Sequence, residues 1–302
     1  MNLSIDTVPS QKGKVAIVTG ANNGLGFETT LGLANKDFTI VMACRDIVKA
    51  ERSREKILAK YPMADVQIME LDLSSLKSVS LFASQFVSRF QKLDLLVNNA
   101  GIMVPPFSKT ADGFESQMGV NYLGHFLLTN LLFPLLKNSP SSRVISLSSI
   151  AHKQGKIDFK NLNSQHGYNK MKVYSQSKLA CLMFAYELQR RIEQNGLNVK
   201  SVAAHPGVSP TNLFQFQSPI VSKILTFLSN SFMHIPAEAA KPSLVAALST
   251  DIRGGDFIGP KGFLEMRGKP GKVKSSSISY DKEIAKQLWE VSEKLTGKSF
   301  LM

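Results

Sequence analysis

Short, almost wholly apolar runs alternate along the chain with longer stretches whose apolar residues recur every three to four positions. The apolar runs at residues 14–19, 38–43, 66–71, 94–98, 143–147 and 199–203 predict six strands. The periodic stretches predict helices over residues 26–35, 47–60, 76–90, 112–136 and 173–194. The early strands show little alternation of apolar and polar positions, so both their faces are expected to be covered, as in a parallel sheet between helical layers. No Pro-, Gly- or Ser-rich linker and no repeat of solenoid length divides the chain. The pattern therefore predicts α/β class: a doubly wound parallel sheet forming a single domain over residues 1–302. The rhythm breaks at residues 212–236, which carry Phe214, Phe216, Ile220, Val221, Ile224, Leu225, Phe227, Leu228 and Phe232 with few charges. This stretch reads equally as a further core helix or as an apolar lid over a pocket.

Composition narrows the classes. Hydrophobic residues are 43% and charged residues 20% of 302, enough for a sizeable core, which excludes disordered and fibrous chains. The net charge of +13 raises the question of nucleic acid, anionic lipid or phosphorylated ligands. The cations are dispersed, however, and the densest cluster, Lys269, Lys272 and Lys274, reads as a solvated loop, so no nucleic-acid partner is expected. Cys44 and Cys181 each sit in apolar surroundings, which suits buried thiols in a reducing compartment. The first ten residues lack a secretory pattern, and the apolar run at 126–136 is interrupted by Thr129, Asn130 and Pro134. A bilayer span needs about 20 apolar residues, so no transmembrane segment and a cytoplasmic location are expected. His125, His152, His166, His205 and His234 show no metal-ligand spacing, and no metal site is expected.

The loop Thr19-Gly20-Ala21-Asn22-Asn23-Gly24-Leu25-Gly26 stands where the first strand turns into the first helix. Gly20 allows a sharp exit from the strand, Gly24 lets the main chain approach a pyrophosphate, and Gly26 lets the helix pack closely on the sheet. The free N–H groups and partial positive charge of the helix start then favour phosphate. At this junction of an alternating chain the loop predicts nucleotide binding. An NAD site usually places a carboxylate at the tip of the second strand. Here that position is Cys44, followed by Arg45, whose guanidinium suits a 2′-phosphate, while Asp46 is placed to cap the next helix. NADP (NADPH) is expected, with NAD the alternative.

Tyr174 and Lys178 lie four residues apart at the start of a long helix, which puts them on one face with Cβ atoms about 5–6 Å apart. A nearby cation favours a phenolate, so the pair can serve proton transfer between an alcohol and a carbonyl. Alone, such a pair is common on solvated helices. It gains weight because Asn98-Asn99-Ala100-Gly101, Ser148-Ser149 and Pro206-Gly207 with Thr211 all end strands on the same predicted edge, where open α/β sheets bind ligands.

The combination of the glycine loop, Asn98-Asn99-Ala100-Gly101, Ser149, Tyr174-x-x-x-Lys178 and Pro206-Gly207 resembles the short-chain dehydrogenase/reductase family, from about residue 14 to 300. Ala43-Cys44-Arg45-Asp46, Asp112-Gly113-Phe114-Glu115, Asn121-Tyr122-Leu123-Gly124-His125-Phe126 and His205-Pro206-Gly207 are similar to its retinol-dehydrogenase-like branch. Residues 253–260 and Leu288-Trp289-x-x-Ser292 are similar to soluble bacterial-type members. The resemblance implies a Rossmann fold and an oxidoreductase that interconverts an alcohol with its aldehyde or ketone. By that resemblance Tyr174 is the general acid, Lys178 holds the nicotinamide ribose, Ser149 hydrogen-bonds the reacting oxygen, and Asn121 positions a water in the proton relay. The dinucleotide would lie along Gly20, Asn22, Asn23, Gly24, Leu25 and Gly26, with Arg45 at the 2′-phosphate and Asp72 and Leu73 at the adenine. Asn99, Ala100 and Gly101 would line its ribose side, and Pro206, Gly207, Val208 and Thr211 its nicotinamide end. The apolar stretch at 212–236 suggests a hydrophobic substrate. Family members often pair through helices, so a homo-oligomer fits the resemblance. Two rivals stand beside this reading: a nucleotide-sensing protein without chemistry, which would usually have lost one of Asn121, Ser149, Tyr174 and Lys178, and a double-bond reductase or epimerase on the same scaffold.

Overall fold

A computed structural model describes residues 5–207 and 235–300. Strands β1 (Val15–Thr19), β2 (Thr39–Cys44), β3 (Val66–Glu70), β4 (Leu95–Asn98), β5 (Ser142–Leu147), β6 (Val199–Ala204), β7 (Phe257–Pro260) and β8 (Pro270–Lys272) form one sheet in the order β3-β2-β1-β4-β5-β6-β7-β8. All neighbours are parallel except β7 and β8. The helices are α1 (Gly24–Ala34), α2 (Ile47–Lys60), α3 (Leu76–Arg89), α4 (Gly124–Lys137), α5 (Lys170–Gln194), α6 (Pro236–Leu248) and α7 (Lys282–Thr296). This is the expected doubly wound Rossmann arrangement.

The near-continuous hydrophobicity of the strands has its cause in two separate cores. Ile17, Val41, Leu96 and Val144 point to the layer of α3, α4, α5 and α7, where they meet Phe82, Phe86, Leu127, Leu179 and Met183. Their chain neighbours Ala16, Val18, Ile40, Met42, Val97 and Ile145 point the other way, onto Leu33, Ile57, Leu244 and Leu248 of α1, α2 and α6. Successive strand residues face opposite layers, so both registers must be apolar. Strand order reverses between β1 and β4, and the crevice beyond their carboxyl ends is where such sheets take ligands.

On the α4/α5 side, Phe126, Phe184 and Phe300 surround Trp289 of α7, with Phe184 stacked on the indole at 5.8 Å and the Arg191 guanidinium 4.3 Å over it. Tyr122 and Ser292 join hydroxyls at 2.7 Å in the same layer. Burial and the neighbouring thiol push the Tyr122 phenol upward, so it stays neutral there.

Three expectations are corrected. The helix expected over 112–136 does not begin at Asp112. Gly113 has φ +84°, and Asp112 instead accepts the Leu76 N–H, capping α3 from outside at 2.8 Å. The Glu115 carboxylate accepts the Met118 N–H at 2.8 Å, and Met118–Leu123 forms a π-helical turn leading into α4. Met118–Lys137 is thus a 20-residue helical run, long and apolar enough by composition to span a membrane, and 78% of its most apolar window is buried inside the fold. That run is longer than the 126–136 stretch suggested. Finally, the Lys269–Lys274 neighbourhood is not a plain solvated loop: Pro270–Lys272 is the antiparallel edge strand, and Lys272 pairs with Asp256 at 2.7 Å. Strand β7 had no counterpart among the predicted elements either. The apolar stretch at 212–236 lies outside the described residues up to 234, and Pro236 opens α6.

Candidate active site

Beyond the carboxyl ends of the strands runs a groove of about 1640 Å³. Gly20, Asn22, Asn23, Gly24, Leu25, Gly26, Arg45, Asp72, Leu73, Asn99, Ala100, Gly101, Ser149, Tyr174, Lys178, Pro206 and Gly207 all line it. Val208 and Thr211 lie outside the described residues. All seventeen of these residues were expected at a nucleotide or reaction site.

The glycine turn is shaped by close approaches. Gly20 leaves β1 at φ +63°, where its N–H still donates to Ala43 O. A Cβ on Gly26 would lie 2.2 Å from Gly20 O and 2.6 Å from Asn99 Nδ2, so only glycine lets α1 start this near the sheet. Asn23 is the N-cap of α1, yet its side chain makes no capping bond. The first N–H groups of α1 therefore face the groove without a side-chain acceptor, as an anion would require. Ser53 of α2 donates to Asn22 O at 2.9 Å and pins the turn from the other side.

Thr19 organises the opposite wall. Its Oγ1 accepts the N–H groups of Asn99 and Ala100, each at 2.9 Å, and meets His125 Nε2 at 2.9 Å. His125 Nδ1 contacts Asn121 O at 2.9 Å. A neutral ring donating from Nδ1 and accepting at Nε2 satisfies both contacts. Burial holds this imidazole down at about 4, with Lys178 adding to the effect. Asn99 Nδ2 donates to Thr19 O, while its Oδ1 is buried without a partner at the groove wall, an acceptor that fits a ribose hydroxyl.

At the tip of β2, Cys44 is buried and its thiol is pushed up to about 11 by that burial, so no negative charge stands where a ribose-binding carboxylate would. Asp46 accepts the Lys49 N–H at 2.9 Å and pairs with Lys49 Nζ at 3.0 Å, contacts that hold its carboxyl below the usual range. It is spent on capping α2, as expected. Arg45 faces the groove together with Lys49, Arg52 and Lys56, which share one face of α2 with Ser53. Sequence reading missed Arg52, Ser53 and Lys56, because a cationic helix stripe has the same pattern as an ordinary solvated face. Asp72 Oδ1 accepts from Ser74 N and Ser74 Oγ, which fixes the carboxylate on the groove floor.

The reactive end is built on α5. Asn169 caps it by accepting the Met171 and Lys172 N–H groups, so the helix begins one turn ahead of Tyr174 and presents Tyr174 and Lys178 to the groove. Lys178 Nζ donates to Leu147 O at 3.1 Å and lies 6.0 Å from the Tyr174 ring centre. A Cβ on Gly101 would sit 3.1 Å from Asn121 Oδ1 and 3.3 Å from Lys178 Nζ, so glycine keeps this corner open. Asn121 is a strut: its Oδ1 accepts the Ile102 N–H, and its Nδ2 donates to Ile102 O and Ser177 Oγ. The π turn puts it there, by rotating the helix start out of α register. The two serines both line the groove but divide their work. Ser148 is buried and donates to Lys178 O, whereas Ser149 Oγ accepts, among the described residues, only the Ala151 N–H at 3.2 Å. A hydroxyl, a phenol and an ammonium thus share one wall, a set able to bind a carbonyl oxygen and pass it a proton.

Comparison with known proteins agrees with this geometry. A family profile described as short chain dehydrogenase matches residues 14–219. Human retinol dehydrogenase 13 is 41% identical over 303 residues, covering 96% of this chain and 86% of that protein. Mouse retinol dehydrogenase 14 is 39% identical over 299 residues, covering 94% and 86%. A crystal structure of an uncharacterized protein from Mycobacterium paratuberculosis superposes with a TM-score of 0.83, at 39% identity and 99% coverage of both chains. The Pseudomonas aeruginosa RhlG/NADP complex shares the fold, with a TM-score of 0.68 at 24% identity, covering 85% of this chain and 98% of that one. The chain belongs to the short-chain dehydrogenase family and is similar to its retinol dehydrogenases.

Proposed function

We propose that the protein is an NADP(H)-dependent oxidoreductase interconverting a hydrophobic alcohol and its aldehyde or ketone. The observation that carries this reading is the shared wall of Ser149, Tyr174 and Lys178 at one end of a groove whose other end holds Arg45 and the open start of α1. The NADP preference rests on Arg45 and the cationic face of α2, set against a buried neutral thiol at Cys44. The dinucleotide, when bound, supplies the hydride. The chain's own residues do the rest. Ser149 Oγ donates to the substrate oxygen and Tyr174 gives it a proton in reduction or takes one in oxidation. Lys178, kept in place by Leu147 O, holds the ribose and stabilises charge on the phenol oxygen. Asn121 supports the Gly101 corner beside Lys178, where a relay water would stand. Buried free thiols at Cys44 and Cys181 suit a cytoplasmic setting. The retinol dehydrogenase relatives favour alcohol–carbonyl chemistry over a double-bond reductase or epimerase, and the intact set of four favours an enzyme over a nucleotide sensor.

The test is NADPH oxidation against a panel of aliphatic and aromatic aldehydes and ketones, followed at the nicotinamide absorbance. Wild type turns over at least one hydrophobic carbonyl, and Tyr174→Phe binds NADPH normally but loses turnover by about a hundredfold or more. Full activity in Tyr174→Phe refutes the mechanism, and NADPH binding without turnover of any carbonyl returns the sensor reading.

A further inference from the structure

Near the reactive end, one carboxylate joins three segments of the chain. Glu265 belongs to the short 3-10 turn Phe263–Glu265, between β7 and β8. Its Oε1 lies 2.9 Å from Lys153 Nζ and its Oε2 lies 3.1 Å from His205 Nε2. Lys153 stands in the 3-10 turn Ile150–Gln154, which starts at Ser149. His205 directly follows β6 and precedes Pro206 and Gly207. Its ring is fully buried and accepts the Gly207 N–H at Nδ1, which in the neutral ring places the proton on Nε2, the nitrogen nearest Glu265. Burial holds this imidazole below its ordinary range, and contact with His205, then Lys153, holds the Glu265 carboxyl at about 2.

Two glycines clear the space that this arrangement occupies. A Cβ on Gly259 would lie 2.0 Å from His205 Nε2, so β7 leaves the ring its path to Glu265. A Cβ on Gly207 would lie 2.3 Å from Met266 O, so the turn sits directly on the β6 tip. The turn itself holds two consecutive non-glycine residues in the left-handed region, Leu264 at φ 49° and Glu265 at φ 58°. Such a conformation persists only where surrounding contacts impose it. Leu264 and Met266, on either side of Glu265, line the groove, with Leu264 67% exposed and Phe263 80% exposed. Apolar side chains left open to solvent on a strained turn beside Ser149 and Tyr174 are what a wall for an apolar substrate requires.

We propose that Glu265 is a positioning residue that latches the Phe263–Glu265 turn to the Ser149 loop and the β6 tip, making Leu264 and Met266 a fixed wall of the substrate site. It acts through those neighbours and does not touch the reacting atoms. The proposal rests on the oxidoreductase reading above and adds to it the part of the chain that sets preference for bulky apolar substrates.

The test compares wild type, Glu265→Ala, Glu265→Gln and Lys153→Met with NADPH and two aldehydes, decanal and propanal. Glu265→Ala raises KM for decanal about tenfold, the size of effect that pocket contacts of one or two methylenes carry. KM for propanal, kcat and NADPH affinity stay within about twofold. Glu265→Gln recovers part of the loss, because its amide oxygen still accepts from Lys153. Hydrogen exchange gives a readout independent of turnover: amides at residues 262–268 and 149–154 exchange faster in Glu265→Ala than in wild type. Should Glu265→Ala fail to fold, Lys153→Met removes one tether and shows the same exchange pattern at smaller amplitude. Unchanged exchange in both segments, or equal losses for both aldehydes together with weaker NADPH binding, overturns the latch. If wild type reduces no aldehyde, the function fails while the exchange comparison still decides the latch.

Discussion

Replacing Gly26 by alanine sets helix propensity directly against local packing. In a helix interior the change normally stabilises by about 1 kcal/mol. Here the new methyl group would stand 2.2 Å from the Gly20 carbonyl oxygen, 2.6 Å from Asn99 Nδ2 and 2.8 Å from Gly20 C. Two of those atoms are backbone and cannot rotate away, so the turn itself must shift. Overpacking of this kind costs about 1–3 kcal/mol. Moving Asn99 also endangers its 2.7 Å bond to Thr19 O, a loss of roughly 1 kcal/mol. Clash and lost bond together outweigh the propensity gain, leaving a net loss of about 1–3 kcal/mol. Gly32 of the same helix is the control. Its Cβ would meet the end of the Leu244 side chain at 2.6 Å, and that side chain can turn aside. Thermal unfolding of both variants, at roughly 2–4 °C for each kcal/mol, places Gly26→Ala clearly below Gly32→Ala. NADPH titration shows weakened binding in Gly26→Ala alone. A Gly26→Ala protein melting at or above wild type, or one that binds NADPH unchanged, would refute the reasoning.

Other outcomes follow from the same contacts. Acidification destabilises the fold through His125: the unfolded ring takes up a proton near 6.5 and the folded one only near 4, so stability present above pH 6.5 is lost progressively down to about pH 4. The loss reaches up to about 3 kcal/mol, and urea melts across that range show it reduced in His125→Gln. Arg45→Ala weakens NADP binding about tenfold or more while leaving NAD binding nearly unchanged, since a charge-assisted contact is worth about 1.5–3 kcal/mol. Calorimetry with both nucleotides checks this, and equal losses for both would remove Arg45 from the 2′-phosphate. Thr19→Val strands the Asn99 and Ala100 N–H groups, lowering stability by about 1–3 kcal/mol and loosening the dinucleotide wall, as denaturant melts and NADPH titration will register.

Much of the groove was legible because its parts are backbone devices with fixed sequence costs. Gly20, Gly24 and Gly26 are required by close approach and positive φ, and the Tyr174–Lys178 spacing is dictated by the helix. The Asp46 cap was legible for the same reason. What escaped depends on distant contacts. Arg52 and Lys56 look like solvent-facing cations until β1 and α1 place the glycine turn beside them. Leu264 and Met266 carry no motif, and the seat of their turn depends on the close approach of Met266 O to Gly207, beyond the end of β6. Strands β7 and β8 are only four and three residues long, too short for a periodic signal. The start of the 112–136 helix was misplaced because Asp112 serves a different helix, α3, through a contact 36 residues away.

Trp289 is the sole tryptophan of the sequence, and it is enclosed by Phe126, Phe184, Phe300 and the Arg191 guanidinium. The molecule therefore carries a built-in optical probe at one known place. A red shift of its emission on denaturation reports loss of the packing between the C-terminal helix and α4 and α5. Compared with far-ultraviolet dichroism of the whole chain, that single signal distinguishes all-or-none melting from early peeling of the last element.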